Sequence, residues 1–222
     1  MIDHLFDRYR GAVKRVVLVV HPSFMSDVKR HVDSSAPSLD VDFVEQPALT
    51  GMLDAILLAC EAARRQRPER VWITWCDQIG VHPDTIATLQ RLSRERAGTH
   101  AILPTCRQSP PYIHLERDSE GRISAIRQRR EGDDMPSTGE SDMGVFSLSP
   151  DACFDLLPRF GREAEQAAAT RERNFLPFLP WLTRHGYPVL TFPSTNELEA
   201  IGVNTADDRR RLEAYLLGLE QS

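Results

Sequence analysis

Little in this chain points toward a membrane, a nucleic acid or a metal cage. No apolar run approaches the ~20 residues that a membrane-spanning helix requires, so no membrane partner is expected. The opening stretch Met1–Arg10 is broken by charges and lacks the apolar core of a signal peptide, which leads to the expectation of a cytoplasmic protein. A basic excess is also missing. The chain carries 27 Lys and Arg against 32 Asp and Glu, a net charge of −5, with the arginines scattered among acids. No nucleic-acid partner held by bulk electrostatics is therefore expected. Cys60, Cys76, Cys106 and Cys153 lie far apart, without a C-x-x-C pair or a His at ligand spacing. They read as reduced thiols, and a zinc site has little support. No His sits in a nucleophile-elbow context, so a Ser/His/Asp triad is not expected; His21 and His82, at strand ends, read as structural. Neither an internal repeat nor a low-complexity linker divides the 222 residues, and a single domain is the simplest organisation.

What is present is an alternation of strand and helix signals around the stretch Arg70–Leu89. Val71–Trp75 is a short run of β-branched and aromatic residues, suited to a strand buried on both faces of a sheet. It stops at Cys76-Asp77, passes through a loop containing Gly80, and re-enters as a helix from Pro83 to Leu92. An acidic side chain at the carboxyl end of a buried strand lies where open α/β sheets bind ligands. Asp77 thus reads as the centre of a site, or as a cap on the loop and helix that follow.

Around this centre, Met1–Arg10 is amphipathic at helical spacing, an odd opening for an α/β protein. Strands are expected at Val13–Val20, Val41–Glu45, Ala101–Pro104, Gly144–Leu148 and Val189–Phe192. Helices are expected at Ser26–His31, Met52–Arg65, Asp151–Leu157, Phe175–His185 and Ala206–Leu219. Tyr112–Arg117 and Arg122–Gln128 alternate around Asp118–Gly121, a hairpin signal. Glu131–Glu140 reads as a polar loop, and Glu163–Arg173 as helical or mobile.

The order Gln46, Asp77, hairpin, Glu131, Asp142-Met143-Gly144 and Glu199–Thr205 resembles the nucleotidyltransferases of the sugar-phosphate pyrophosphorylase type. That group includes the molybdenum-cofactor guanylyltransferases. The resemblance implies a three-layer αβα Rossmann-like fold, its sheet mostly parallel with an antiparallel hairpin insertion. It further implies transfer of a nucleoside monophosphate from a nucleoside triphosphate to a phosphorylated acceptor such as a sugar phosphate, with release of pyrophosphate. Asp77 and Asn204 would share a Mg²⁺ as the catalytic pair, because negative charge gathers on phosphate oxygens and a hard cation with oxygen ligands stabilises it. Gln46, Gly51 and Asp77 would face the nucleotide, Gln46 through an amide that both donates and accepts. Glu131, Asp142 and Gly144 would face the acceptor. Plainer readings stand beside these: a left-handed turn residue for Asn204, a surface loop residue for Gln46, and loop solubility for Glu131 and Asp142.

The departures from the family are as informative. Its Gly-rich loop after the first strand, with the Arg and Lys that follow, has no counterpart here. Met1–Arg10 resembles the helix that comes after that loop, so the first strand and phosphate loop are missing from the pattern. Cys76 replaces a glycine before Asp77, Pro47–Gly51 lacks a compact Gly-Thr-Gly turn, and Gly132 stands where a lysine often follows the glutamate. The expectation is weak or absent transferase activity in this form. Two alternatives are a non-catalytic nucleotide- or sugar-binding module on the same fold and, less favoured because Asp77-Gln78-Ile79 is not a D-x-D pair, a GT-A-like glycosyltransferase.

Overall fold

The structure is a computed structural model that describes residues 1–35, 38–194 and 196–220. Helix α1 (Ile2–Tyr9) leads into strand β1 (Arg15–Val20). Helix α2 (Met25–Ser35) returns the chain to β2 (Asp40–Glu45), and α3 (Met52–Arg64) carries it to β3 (Val71–Thr74). After α4 (Pro83–Glu95) come β4 (Ala101–Gln108), the hairpin β5 (Ile113–Arg117) and β6 (Ile123–Gln128), then β7 (Gly139–Asp142) and β8 (Val145–Leu148). A π-helical turn at Ala152–Leu156 runs into α5 (Leu157–Glu163), followed by α6 (Phe178–Arg184), β9 (Val189–Pro193) and α7 (Ala206–Glu220).

The strands fall into separate ribbons. β1 and β2 pair in parallel, Val17 opposite Asp42. The larger sheet runs β3-β8-β4-β7, with β9 parallel to β4. β8 lies antiparallel to both β3 and β4, so β3, β4 and β9 share one direction while β7 and β8 oppose it. Helical crossovers join β1 to β2 and β2 to β3, the connection that parallel strands require.

Side-chain parity in the large sheet produces the three layers, because successive residues of a strand point to opposite faces. Ile73, Phe146, Leu148, Ala101 and Leu103 turn toward α3, α5 and α6. Trp72, Val145, Ile102 and Leu190 turn the other way, onto Leu5 and Tyr9 of α1, Ile86 and Leu89 of α4 and Leu212 of α7. A third, smaller cluster packs Phe6 of α1 with Val32 and Leu39 against Val16, Leu18, Val41 and Phe43. Helix α1 thereby holds the β1–β2 ribbon to the main sheet: Phe6 faces one side, and Tyr9 bonds Thr74 Oγ1 at 3.2 Å on the other.

Several expectations need correction. Cys60 and Cys153 are joined in a disulfide, so the reading of all cysteines as reduced fails for this pair; residues 93 apart in sequence meet where α3 crosses the π-helical turn. Residues 164–174 form an irregular loop instead of a helix. Its backbone is closed by Arg171 N–H to Ala167 O at 3.0 Å and Ala167 N–H to Glu172 O at 2.8 Å. The predicted loop Glu131–Glu140 gives way at Gly139 to β7, which pairs with the long outer half of β4. Pro104 does not end β4: that strand continues to Gln108, with Pro104 opposite Phe192 of β9. No helix among the described residues is long and apolar enough to cross a membrane.

Closing a loop of this length with a disulfide removes denatured-state entropy. Reducing Cys60–Cys153 is expected to lower unfolding stability by about 2–4 kcal/mol, read as a lower urea midpoint in the presence of a reductant. An unchanged midpoint after both thiols have become titratable would show that the bridge contributes nothing.

Candidate functional site

The site assembles where β3 ends. Beyond Thr74 the pairing with the β8 side persists through Trp75, whose N–H donates to Gly144 O at 3.2 Å. Gly144 has a positive φ of 65°, and a side chain there would run into Gln78 and Trp75. Only glycine lets the Asp142–Gly144 turn lie this close to the segment carrying Asp77.

Asp77 is half-buried. Its backbone carbonyl accepts the Val203 N–H at 3.1 Å, which ties the late loop Ile201–Thr205 to it. Gly202 presses against the carboxylate so closely that an added Cβ would sit 2.5 Å from Asp77 Oδ2 and 3.2 Å from Asn204 Nδ2. Burial raises the Asp77 pKa above the usual aspartate value, opposed by its backbone hydrogen bond and by the Asn204 side chain. Tertiary structure therefore brings Asp77 and Asn204, 127 positions apart by their numbering, together around Gly202, whose carbonyl accepts from Asn204 Nδ2 at 3.2 Å.

This loop is held in turn by a buried carboxylate. Glu199 is 3% exposed and accepts from His82 N–H at 2.8 Å, Thr85 Oγ1 at 2.7 Å and Ser194 Oγ at 2.6 Å. It binds the N–H of His82, the N-cap of α4, and the Thr85 hydroxyl in the first turn, where an anion is also favoured by the helix dipole. The same side chain clamps the helix that follows Asp77 to the loop that carries Asn204. His82 caps α4 and His21 caps the turn after β1 through their Nδ1 atoms, which fits the structural reading of both.

Asp142 and Gln78 complete the group. Asp142 is buried, with Oδ1 accepting the Gly144 N–H at 2.8 Å. Burial pushes its pKa up to about 6, with the Gly144 and Asp142 N–H groups working against it. Gln78, a residue that sequence reasoning missed, donates from Nε2 to Ala200 O at 3.3 Å. Its buried Oε1 has no partner among the described residues. No periodic pattern marks a buried polar side chain of this kind; adjacency to Asp77 was the only signal. Asp77, Gln78, Asp142, Gly202 and Asn204 all line one cavity of 2220 Å³ that extends from here between β1 and β3.

The remaining expected residues lie elsewhere. Gln46 turns its Nε2 onto Gly51 O at 3.1 Å within its own loop. Gly51, at φ 113°, caps α3 and is clasped by Arg173, whose backbone leaves no room for a side chain. Glu131 accepts from Thr170 Oγ1 at 2.8 Å, Asn174 Nδ2 at 3.2 Å and Arg130, and so pins the irregular loop. Gly144 stands behind Gln78 as support. None of these four lines the cavity.

The oxygen donors that could hold a cation are the Asp77 and Asp142 carboxylates and the side-chain amides of Gln78 and Asn204. Neither Asp77 nor Asp142 has an Arg or Lys ion-pair partner among the described residues, and an unpartnered amide oxygen lies beside them. No group of three or more His, Cys, Asp and Glu with metal-holding geometry occurs among the described residues.

The Asp142 pKa carries a stability consequence. An unfolded aspartate ionises near 3.9, so between that value and about 6 the folded state holds the extra proton and stability falls as pH rises. Without divalent metal, Asp142→Asn is expected to be more stable than the parent near pH 7.5 by on the order of 2–3 kcal/mol. The difference should vanish below pH ~4. Urea melts across this range check it, and a parent that matches the variant at neutral pH would contradict it.

Comparison with known proteins bears on the fold and the family. Three solved structures share the fold. A CMP:2-keto-3-deoxy-manno-octonic acid synthetase complexed with CTP is 14% identical with a TM-score of 0.67, over 100% of this chain and 88% of the other. HddC from Yersinia pseudotuberculosis is 14% identical with a TM-score of 0.61, over 96% and 83%. A protein assigned as a glucose-1-phosphate thymidylyltransferase from Bacillus anthracis, in complex with sucrose, is 12% identical with a TM-score of 0.73, over 96% and 80%. Among curated proteins none matches. The family model of the MobA-like NTP transferase domain matches residues 1–175, a range that holds Asp77 and Asp142 and stops short of Asn204. The chain belongs to the MobA-like NTP transferase domain family.

Proposed function

We propose that this chain binds a nucleoside triphosphate with Mg²⁺ at Asp77 and Asn204, and that the site serves transfer of the nucleoside monophosphate to a phosphorylated acceptor such as a sugar phosphate. The observation that carries the reading is the juxtaposition of a half-buried strand-end aspartate with the late-loop asparagine across Gly202. Family membership supports the reaction class, and the CTP held by one fold relative supports the ligand class.

Chemically, the site has little covalent work to do. A phosphate acceptor is already an anionic nucleophile, so no side chain has to remove its proton. Asp77 and Asn204 would hold the metal, which when bound stabilises charge on the phosphate oxygens. Gly202 keeps the pocket wall at backbone height where phosphates must approach. Glu199 keeps the Asn204 loop in register with Asp77. Catalysis by such a site comes from positioning and charge stabilisation.

Glu131 and Gly144, expected to face the acceptor, do not line the cavity, which favours a second reading, a non-catalytic nucleotide- or sugar-binding module. Thermal melts with each nucleoside triphosphate and with nucleotide sugars, with and without Mg²⁺, test the first step, because a ligand of the folded state raises Tm by mass action. At a ligand concentration about 100-fold above Kd the expected stabilisation is roughly 2.7 kcal/mol. The shift should require Mg²⁺ and disappear in Asp77→Ala and in Gly202→Ala, whose methyl group would displace the carboxylate. A nucleotide shift that persists in a folded Asp77→Ala protein would refute the assignment. Pyrophosphate release then separates enzyme from binding module.

A further inference from the structure

Among the described residues, Arg130 and Arg211 line the cavity at the end that holds Asp77. Their partners differ. The Arg130 guanidinium is committed to Glu131 Oε1 at 3.3 Å and to Glu172. Arg211, on α7, is exposed, and its guanidinium has no hydrogen bond or ion pair among the described residues. Its neighbours Arg209 and Arg210 pair with Glu213 and Asp207, both exposed.

The residues around Arg211 fix where it stands. Leu212 is fully buried and packs on Gly80, in the loop that follows Asp77, so closely that a Cβ added there would sit 2.7 Å from Leu212 Cδ2. One turn earlier on the helix, Asp208 Oδ2 accepts the Asn204 N–H at 3.3 Å, the Thr205 N–H at 2.8 Å and the Thr205 hydroxyl at 2.8 Å. Helix α7 is thereby seated on both segments that carry the site. Asp208 is also the acid at i−3 that an isolated helix would offer Arg211 as a partner, and those three donors occupy it. Its carboxyl is held below the ordinary aspartate range by the Thr205 hydroxyl first, with the Arg211 charge adding to the effect.

Unpaired charges of both signs thus share one cavity without neutralising each other. Asp77, Asp142 and Glu197 line it without a cationic partner among the described residues, and Arg211 lines it without an anionic one. A ligand that brings a cation to the carboxylates and an anion to the arginine satisfies both sets together. A metal-chelated polyphosphate has this character, and a planar guanidinium matches phosphate oxygens two at a time.

We infer that Arg211 is a specificity-determining residue whose guanidinium receives the terminal phosphates of the bound nucleotide, so that the site prefers a triphosphate to a monophosphate. This inference rests on the nucleotide reading above and adds to it a residue beyond the range 1–175 of the family match.

The test is calorimetric titration of the full chain with ATP, CTP, GTP and UTP, and with the corresponding monophosphates, all in Mg²⁺. Arg211→Ala is expected to weaken triphosphate binding by about tenfold or more, because it removes charge-assisted hydrogen bonds. Monophosphate binding should stay within about twofold of the parent, as screened long-range charge alone allows. Arg211→Lys keeps the charge without the planar fork and should recover part of the loss. Arg210→Ala removes the same charge from the next position, outside the cavity, and should leave every Kd unchanged. Triphosphate binding unaffected in Arg211→Ala, or weakened equally in Arg210→Ala, overturns the inference and leaves the nucleotide site standing. An equal loss for monophosphates overturns it as well. A folded parent that binds no nucleotide overturns both this inference and the reading it rests on.

Discussion

The arrangement depends on β3, a four-residue strand paired along one edge. Its antiparallel ladder with β8, Val71 opposite Leu148 through Thr74 opposite Val145, fixes where the chain leaves the sheet. The ladder continues as the Trp75 N–H to Gly144 O bond, and Asp77 follows two residues later. A shift of one residue in this register would exchange Trp72 and Ile73 between the two apolar layers. It would also move Asp77 off the loop that carries Asn204. Burial of the β3 side chains and placement of the site are thus one constraint.

Around that anchor, the carboxylates divide by what surrounds them. Glu199 is buried yet fully occupied by three donors, and Glu131 likewise binds Thr170, Asn174 and Arg130. Both are structural clamps. Asp77 and Asp142 have no cationic partner among the described residues, and burial raises the pKa of each. A carboxylate kept from water without a counter-charge is an unfavourable arrangement that a bound cation relieves. Electrostatics accordingly separates Asp77 and Asp142 from the two clamping glutamates, although all four are acidic residues in or near loops.

The same strand explains why the molecule is held together as it is. With β1 and β3 not paired to each other, helix α1 bridges the two ribbons through Phe6 on one side and Leu5 and Tyr9 on the other. Helix α3 does the same from the opposite layer, and the Cys60–Cys153 bridge secures it to the π-helical turn. An amphipathic helix at the start of the chain, odd when read alone, becomes the element that spans an open sheet.

Much of this was legible in residue patterns, because periodicity and strand-end chemistry are local. The β-branched run before Asp77, the hairpin around Asp118–Gly121, the helical spacing of Met52–Arg65 and the glycine punctuation of the late loop all marked elements found in the structure. Resemblance to a nucleotidyltransferase rested on the same local features and named the family correctly. Local pattern had no access to contacts across long separations. The disulfide between Cys60 and Cys153, the capture of Glu131 by Thr170 and Asn174, the buried amide of Gln78 and the pairing of Gly139–Asp142 with the outer half of β4 depend on which segments fold against each other. The placing of β1 and β3 is of the same kind: each strand was readable alone, and only the tertiary arrangement decided that both would line one cavity without pairing to each other.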